Sequence, residues 1–303
     1  MSFIQLSFSN ARQYPLRHKC SRFLVWALSP LLFVSSALAA TERLEYRISY
    51  QGSLTAMAKL DICDAVLETS RDESTISGKP VFQASVNISS KRYKKMEAVY
   101  PFRYLLRSFF SPDMQRSILF ERSKKTRKLR HEIVWFNWDK GVTERFKKRK
   151  QKEIVKSQAR LTTRKQDGVP GFFGDLNYNS NEFRRSSKPG LKLADGMLDR
   201  LSLLQSVRSQ QLSPGQDIRL SISDGKKILN YLVQVQKRET IEHQGQLLDT
   251  YKLRFDAFAG GRWSGTPSHP GVFAWLTADD KKTPVRFTVN YAGGEFLIQV
   301  KNL

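Results

Sequence analysis

Residues 218–235 read IRLSISDGKKILNYLVQV. Apolar and polar residues alternate up to Asp224-Gly225, and an apolar run returns over 228–235. Alternation with a period of two is typical of a strand with one buried face, and an Asp-Gly pair between two such runs is a strong hairpin signal. This stretch therefore predicts an antiparallel hairpin.

The same alternation recurs along the chain, with turns between the runs. Further strands are predicted at 43–50, 54–62, 82–88, 97–106, 115–121, 129–138, 250–258, 272–276, 285–290 and 296–300. About a dozen alternating strands predict an all-β fold, mainly antiparallel. The small residues Ala56 and Ala58 are expected on the inward face, where a helix approaches closely.

One segment follows helical spacing. Met197, Leu201, Leu204 and Val207 lie on one face of a helix predicted over 196–210, and Asp195 is expected to cap its start. The apolar face of this helix must be buried against other apolar surface. We therefore expect a strongly curved, open-barrel-like sheet with this amphipathic helix packed on its concave side. The stretch 167–189 is expected to be a long irregular loop.

The first 39 residues have the pattern of a secretory signal peptide. Four basic residues precede an apolar run over 23–38, which ends in Ala37-Leu38-Ala39. An uncleaved anchor is the alternative, but the run is short for a bilayer span and Pro30 interrupts it. Cys20 lies before the run, so the lipoprotein arrangement is absent. We expect an exported, periplasmic protein with a single β domain over 40–303, soluble or peripherally associated with the membrane.

Charge is concentrated in one part of the chain. Removal of residues 1–39 takes away four Lys/Arg and no Asp/Glu, so the formal charge falls from +23 to +19. Between Lys91 and Lys165, 24 basic and 7 acidic residues give +17. A basic exported protein attracts lipid headgroups, lipopolysaccharide or acidic glycans, and no nucleic acid partner is expected in this compartment.

Two basic clusters stand out in a hairpin insertion at about 122–165. They comprise Lys124, Lys125, Arg127, Lys128 and Arg130, then Lys147, Lys148, Arg149 and Lys150. A hairpin centred near Lys140 would place Arg130 opposite Lys150 and Lys128 opposite Lys152, and such like-charge pairs destabilise a ladder. Two interpretations stay open: a solvated, solubilising hairpin end, or a contact with phosphate-bearing envelope surfaces.

Residues that support catalysis are few. Cys63 alone remains after processing, which excludes an intramolecular disulfide. His131, His243 and His269 lie apart from one another and show no metal-ligand spacing. No catalytic motif is present, and the adjacent carboxylates Asp279-Asp280 are typical of a solvated turn. We therefore expect no enzyme, no metal and no cofactor.

The run FAWLTADDKKTPV over 273–285 resembles the signature of DUF3108, a bacterial family of unknown function. The likeness continues at 199–208, 214–215, 224–227 and 44–52. The resemblance implies an exported envelope β protein shaped like lipid carriers, with no catalytic residues. Trp275, Asp279 and Pro284 are then structural: a core anchor, a turn acceptor and a strand start. The sequence departs from the family at 122–165 and at 260–271.

Three functional hypotheses follow. The first is a non-catalytic binding or carrier protein for an amphiphilic envelope component. The second is a structural protein that docks to anionic envelope surfaces through the basic hairpin. The third is an enzyme acting on envelope glycans, for which His269 and neighbouring acids would have to share a cleft.

Overall fold

A computed structural model describes residues 41–126, 128–150, 169–259, 271–291 and 293–303. The predicted signal peptide, Arg127, the segment 151–168 and the loop 260–270 with His269 lie outside the described residues. All statements below concern the described ranges.

A single antiparallel sheet of fourteen strands forms the described part of the chain, in the order β8-β7-β6-β5-β4-β3-β2-β1-β14-β13-β12-β11-β10-β9. The strands are β1 (Glu42–Gly52), β2 (Lys59–Ile76), β3 (Lys79–Ser89), β4 (Arg103–Phe110), β5 (Ser117–Lys125), β6 (Leu129–Asn137), β7 (Val142–Lys148), β8 (Phe183–Arg185), β9 (Asp217–Ser223), β10 (Ile228–His243), β11 (Gln246–Ala259), β12 (Val272–Thr277), β13 (Pro284–Tyr291) and β14 (Gly294–Val300). Three α-helices accompany them in the described residues: α1 (Lys94–Val99), α2 (Phe172–Asp175) and α3 (Arg200–Arg208). The outermost strands β8 and β9 do not pair with each other, so the predicted all-β, open sheet is confirmed.

The hairpin predicted at 218–235 is β9–β10. Ile228 pairs with Ser223 across it. In the turn, Asp224 Oδ1 accepts hydrogen bonds from the backbone N–H groups of Lys226 (2.9 Å) and Lys227 (3.0 Å). Gly225 takes a φ of +76°, a left-handed conformation that glycine adopts without strain.

Helix α3 defines an inner face of the sheet. Its Gln205 side-chain amide donates to Thr69 Oγ1 of β2 (3.2 Å), and the Ser108 hydroxyl of β4 donates to Asp199 at the helix start (2.6 Å). Because partners directly opposite in a ladder share a face and side chains alternate along a strand, these contacts assign the inner face strand by strand. We call the opposite side the outer face.

The helix is shorter and more enclosed than the sequence indicated. It spans nine residues rather than 196–210, and its N-cap is Asp199, whereas Asp195 is exposed. Polar residues of α3 are buried too: Arg208 forms an ion pair with Glu42 (2.7 Å) and donates to the carbonyl of Lys282 (3.0 Å). The helix is therefore a plug enclosed by the sheet, and not a helix with one wet face.

The two ends of the strand order approach each other across the inner face. Ser117 N of β5 donates to Met197 O (3.0 Å), and Ser223 N of β9 donates to Leu198 O (2.8 Å), so the segment before α3 joins the two halves. Arg145 of β7 also donates to Gly225 O in the β9–β10 turn (3.3 Å). These contacts give the sheet its curvature.

Three local expectations were wrong. Ala56 and Ala58 are exposed in the turn between β1 and β2, where Ala56 has a φ of 47°, so they face no helix. The strand predicted over 97–106 begins at Arg103 and is preceded by α1. The loop predicted over 167–189 contains α2 and β8, because Phe172 and Phe173 pack against the outer face of β6 and β7.

Candidate functional site

The sheet has two chemically different ends. Consecutive antiparallel strands run in opposite directions, so connections after odd-numbered strands lie at one end and those after even-numbered strands at the other. We call the first the basic end, with the connections 53–58, 90–102, 126–128 and 224–227. We call the second the neutral end, with the turns 77–78, 111–116, 138–141, 244–245 and 278–283, each of which contains as many acidic as basic residues; the long connection 186–216, which includes α3, also starts at this end and has four basic and two acidic residues.

The inner face is sealed beside α3 and open towards the basic end. Leu253, Ala274 and Leu276, near the helix, are 0% exposed. Towards the basic end Ile48, Ile222, Leu229 and Phe255 are also buried, but many of the other inward-facing apolar side chains are only half-buried, which leaves apolar surface in reach of solvent. They include Val86, Ile88, Tyr104, Leu106, Tyr231, Val272, Phe287, Val289, Phe296 and Ile298.

Several aromatic side chains belong to this half-buried part of the inner face, which we call the open wall. The Phe102 ring lies 5.9 Å from that of Tyr104 and 6.4 Å from that of Tyr100, and the Tyr50 ring lies 5.0 Å from that of Phe296. Aromatic rings give large contact areas to an apolar chain at little cost in conformational entropy. This wall is suited to an extended apolar group.

Basic side chains continue the same face across β5 to β8. Lys124 lies opposite Tyr104 on one side and Arg130 on the other, with its Nζ 5.3 Å from the Phe102 ring centroid. Two residues before Lys124 on β5, Arg122 lies opposite Glu132. Glu132 in turn lies opposite Lys147 on β7. The half-buried apolar wall and the cationic row are therefore adjacent parts of one surface.

One carboxylate is shared by three cations in this row. Glu132 accepts hydrogen bonds from Arg122 Nε (3.0 Å) and Arg145 Nε (3.2 Å), and Lys226 Nζ lies 3.8 Å away. Burial alone would raise the pKa of Glu132, but the bond from Arg122 and the three cationic charges hold it below the ordinary 4.5. Burial and the neighbouring arginines lower the pKa of Lys226. The local excess of positive charge favours an incoming anion.

The predicted basic clusters do not form a single surface. Lys125, Lys128, Arg130 and Lys150 are exposed, while Lys148 pairs with Glu182 (2.8 Å) and Arg149 Nε donates to Phe183 O (3.2 Å). The predicted β6–β7 register was wrong by one residue: Glu132 pairs with Lys147, and the ladder ends there. Arg130 therefore does not face Lys150; its like-charge neighbour is Lys124 on β5.

Glu121 lies on the outer face, at the centre of a second polar network. It is 1% exposed and accepts bonds from Arg107 Nε (2.7 Å), Tyr178 Oη (2.6 Å) and His131 Nε2 (2.6 Å). Burial would raise the pKa of Glu121, but His131 and Arg107 hold it below 4.5. Burial and the bond to Glu121 raise the pKa of Tyr178 to about 12. The network connects the segment around Tyr178 to the sheet. Both carboxylate oxygens of Glu121 are occupied by these hydrogen bonds.

Asp199 is the buried residue that sequence reasoning missed. Its carboxylate is 0% exposed and accepts from the hydroxyls of Ser108 (2.6 Å) and Ser117 (2.7 Å) and from the backbone N–H groups of Leu201 (2.8 Å) and Ser202 (3.1 Å). Burial raises the pKa of Asp199 despite these donors. An Asp with Ser three residues later is a capping pattern that points to position 199 rather than 195.

The residues shared with the family signature hold local structure. Trp275 packs on the outer face between Lys252 (5.1 Å) and Arg286 (5.6 Å), and its indole N–H donates to Glu239 (2.9 Å). Asp279 Oδ1 accepts from the backbone N–H of Lys282 (3.0 Å) in the turn before β13. Pro284 is the first residue of β13.

A polar cavity of about 310 Å³ lies beside β7 at the neutral end. Its lining includes Glu144, Arg145 and the segment 185–190, and Arg185 pairs with Glu144 (2.8 Å). Gly190 is required there, because a Cβ would lie 2.1 Å from the carbonyl oxygen of Thr143. The cavity is lined mainly by polar groups, some of which are already paired, and only Val142 and Pro189 add apolar side chains.

Reactive groups are sparse in the described ranges. Cys63 is buried on the inner face, and burial raises its pKa to about 11, so the thiol is unreactive near neutral pH. No cluster of three or more His, Cys, Asp or Glu able to hold a metal ion occurs in the described residues. No described helix has the length and apolarity needed to cross a membrane.

The described part of the chain is thus a curved antiparallel sheet with one helix enclosed on its inner face. The family model described as "Protein of unknown function (DUF3108)" matches residues 174–300, which contain α3 and the signature at 273–285. The resemblance to that family is thereby confirmed over these residues, whereas the likeness proposed at 44–52 lies outside the match.

Two further comparisons bear on relatives. No curated protein matches the chain. Among solved structures, the chain is similar to the crystal structure of a β-barrel-like protein of domain of unknown function DUF1849 from Brucella abortus, with a TM-score of 0.47 and 8% sequence identity, over 87% of this chain and 96% of that chain.

Proposed function

We propose that this chain is a non-enzymatic periplasmic binding protein for an anionic amphiphile. The apolar part of the ligand lies against the half-buried wall around Ile88, Tyr104 and Phe296, and its acidic head lies against Lys124 and Arg130. The observation that carries the proposal is the continuity of these two surfaces on one face of the sheet.

A bound amphiphile would offset two unfavourable contributions in the free protein: apolar surface in contact with water, and repulsion between two cations. A sealed sheet would bury Ile88 and its neighbours fully, at about 25 cal/mol per Å² of apolar surface removed from water. Here that surface stays partly in water while α3 fills only the neutral half of the inner face. A bound acyl chain recovers this free energy, and an anion relieves the repulsion between Lys124 and Arg130.

Catalysis is not part of the proposal. Glu121 and Asp199, the most deeply buried of the six buried carboxylates in the described residues, each accept at least three hydrogen bonds, so neither has a free lone pair directed to a substrate. Their arrangement supports a role in fixing the scaffold around the binding face.

Binding of single-chain detergents below their micelle concentration tests the proposal. Dodecyl phosphate and the uncharged dodecyl maltoside are titrated into the purified protein, and binding heats are measured by calorimetry. We expect tighter binding of dodecyl phosphate. Replacement of Lys124 and Arg130 by Gln should weaken only dodecyl phosphate, because only that head group carries charge.

Matched apolar variants separate the inner face from general stickiness. Ile88→Asn changes a half-buried inner residue, and Leu176→Asn changes a half-buried residue beside α2 on the outer face. We expect Ile88→Asn to weaken both detergents about tenfold and Leu176→Asn to weaken neither. Equal effects of the two variants, or no binding by the parent protein, would refute the proposal.

A further inference from the structure

Exposed apolar side chains gather at the basic end of the sheet. Eight large apolar residues are exposed in the described ranges. Five lie in or beside the basic-end connections: Met57, Leu60, Val99, Tyr100 and Leu129. The other three are Val169, Leu247 and Leu303. Single exposed apolar residues are ordinary on a protein surface, but five at the tips of three adjacent connections form a patterned feature.

Two of these three connections carry an excess of basic residues, whereas 53–58 is uncharged. In 90–102, Lys91, Arg92, Lys94 and Lys95 accompany the single acid Glu97, which is paired with Arg103 (2.6 Å). Lys125 and Lys128 flank the β5–β6 turn and are exposed beside Leu129. The turns of the neutral end lack this excess: in 278–283, for example, Asp279 and Asp280 offset Lys281 and Lys282.

Strand geometry brings these tips together. Strands β1 to β6 are sequential neighbours in the sheet, spaced about 4.8 Å apart. The connections after β1, β3 and β5 therefore project from one edge within about 20 Å of each other. Val99 is 78% and Met57 is 64% exposed, so neither is held down by the sheet beneath it.

We infer that the basic end docks on an anionic lipid bilayer. Val99, Tyr100, Leu129 and Met57 enter the interface between headgroups and acyl chains, while the surrounding lysines contact lipid phosphates. Apolar tips surrounded by Lys and Arg complement an anionic bilayer: the apolar side chains suit the acyl chains, and the positive charges attract the negative headgroups. Docking at this end also aims the open mouth of the inner face at the membrane.

The inference is independent of what the inner face binds. It concerns the exposed tips, whereas the proposed ligand site lies on the inner face of the strands; Tyr100, at the edge of that face, is common to both. It also revises the sequence hypothesis of a basic hairpin acting alone, because the connection 90–102 supplies four exposed cations, against Lys125 and Lys128 among the described residues of the β5–β6 turn, and more apolar surface.

Co-sedimentation with lipid vesicles tests the docking. The purified protein is mixed with vesicles of phosphatidylglycerol and phosphatidylcholine, or of phosphatidylcholine alone, at low and physiological salt. We expect binding only to the anionic vesicles, weakened by salt. The double variant Lys91→Gln with Lys128→Gln should weaken it about fivefold for each charge removed.

Apolar variants at the two ends provide the matched comparison. Val99→Ser with Leu129→Ser should weaken vesicle binding about tenfold or more. Leu247→Ser with Lys281→Gln, at the neutral end, should leave it unchanged, because Leu247 is equally exposed at 76% but faces away. Equal losses at both ends would overturn the inference, as would failure of the parent protein to bind anionic vesicles.

One further variant separates docking from ligand binding. Ile88→Asn should bind anionic vesicles as the parent does, even if it no longer binds dodecyl phosphate. Loss of vesicle binding in this variant would show that the protein holds extracted lipid and does not dock through its tips, and the inference would then be wrong.

Discussion

Lys124 faces Arg130 directly across the β5–β6 ladder, on the inner face of the sheet. Two cations in register destabilise an antiparallel pair, and nothing in their immediate cross-strand row neutralises them, since the next partner of Lys124 is Tyr104. The acidic residue of this region, Glu132, is already shared by Arg122, Arg145 and Lys226. A bound anion, as proposed above, would relieve the repulsion within this pair.

Arg130→Glu tests the repulsion in the free protein. We expect it to raise the free energy of unfolding by about 0.5 kcal/mol at low salt, because it converts a like-charge pair into an attractive one. The measurement is urea denaturation. Arg130→Gln serves as control and should give a smaller gain, and the gain should shrink at high salt. A loss of stability in the Glu variant would contradict the account.

Asp199→Ala should destabilise the protein by about 3 kcal/mol. It removes the N-cap of α3 and leaves the hydroxyls of Ser108 and Ser117 buried without their acceptor. Thermal and urea unfolding provide the measurement, with the exposed Asp195→Ala as control, for which we expect a change within about 0.5 kcal/mol. Similar losses in both variants would refute the assignment of the cap to Asp199.

The pH dependence of Asp199 has a definite sign. Burial raises its folded-state pKa above the ordinary 3.8, so the folded state retains a proton that the unfolded chain releases. Its contribution to stability is therefore greatest below pH 3.8 and declines as pH rises towards the folded-state value. Relative to Asp199→Asn, the parent should gain stability as pH is lowered from 7 to about 4. If the parent lost stability relative to Asp199→Asn as the pH was lowered, the raised pKa of Asp199 would be contradicted.

Glu121 should behave in the opposite way. Its folded-state pKa lies below 4.5, so its contribution is present above pH 4.5 and is lost as pH falls through the folded-state value. Glu121→Gln should cost about 2 kcal/mol at pH 7 and much less in acid, because Arg107 and His131 lose a charged partner. Unfolding at several pH values measures this difference, and a cost that does not vary with pH would exclude the charged network.

Gly225→Ala tests the contact that curves the sheet. A Cβ at Gly225 would lie 2.7 Å from Arg145 Cδ and 2.8 Å from Val134 Cγ2. Gly245, in the next hairpin, has a similar φ of +78° but nothing within 4 Å of an added Cβ. Gly245→Ala therefore isolates backbone strain, about 1 kcal/mol. Gly225→Ala should cost at least 1 kcal/mol more, measured by urea unfolding; equal costs would contradict close packing at this turn.

Alternation made the strands and hairpins predictable, since it is a local property of each segment. The Asp224-Gly225 turn and the resemblance carried by 273–285 were both visible in the sequence. The register of β6–β7 was not, because the turn at 138–141 fixes it through hydrogen bonds such as Gly141 N to Trp138 O (3.3 Å). A shift of one residue changed the partner of Lys147 from a neutral position to Glu132.

The candidate site was predictable in its composition and not in its arrangement. The basic clusters were evident, but which of their members face inward depends on register and on the helix that defines the inner face. The half-buried state of Ile88 and Phe296 is a tertiary property, set by how far α3 fills the curve of the sheet. The exposed tips Val99 and Met57 lacked any periodic signal and so were missed.

Methyl NMR during a titration with dodecyl phosphate locates the bound amphiphile on the sheet. Isoleucine methyl groups report on distinct places: Ile88 and Ile298 on the open inner face, Ile218 beside α3 and Ile133 on the outer face. Binding on the inner face predicts shifts of the Ile88 and Ile298 signals that saturate below the micelle concentration, with Ile218 and Ile133 unmoved. Shifts confined to Ile133, or an unchanged spectrum, would contradict this.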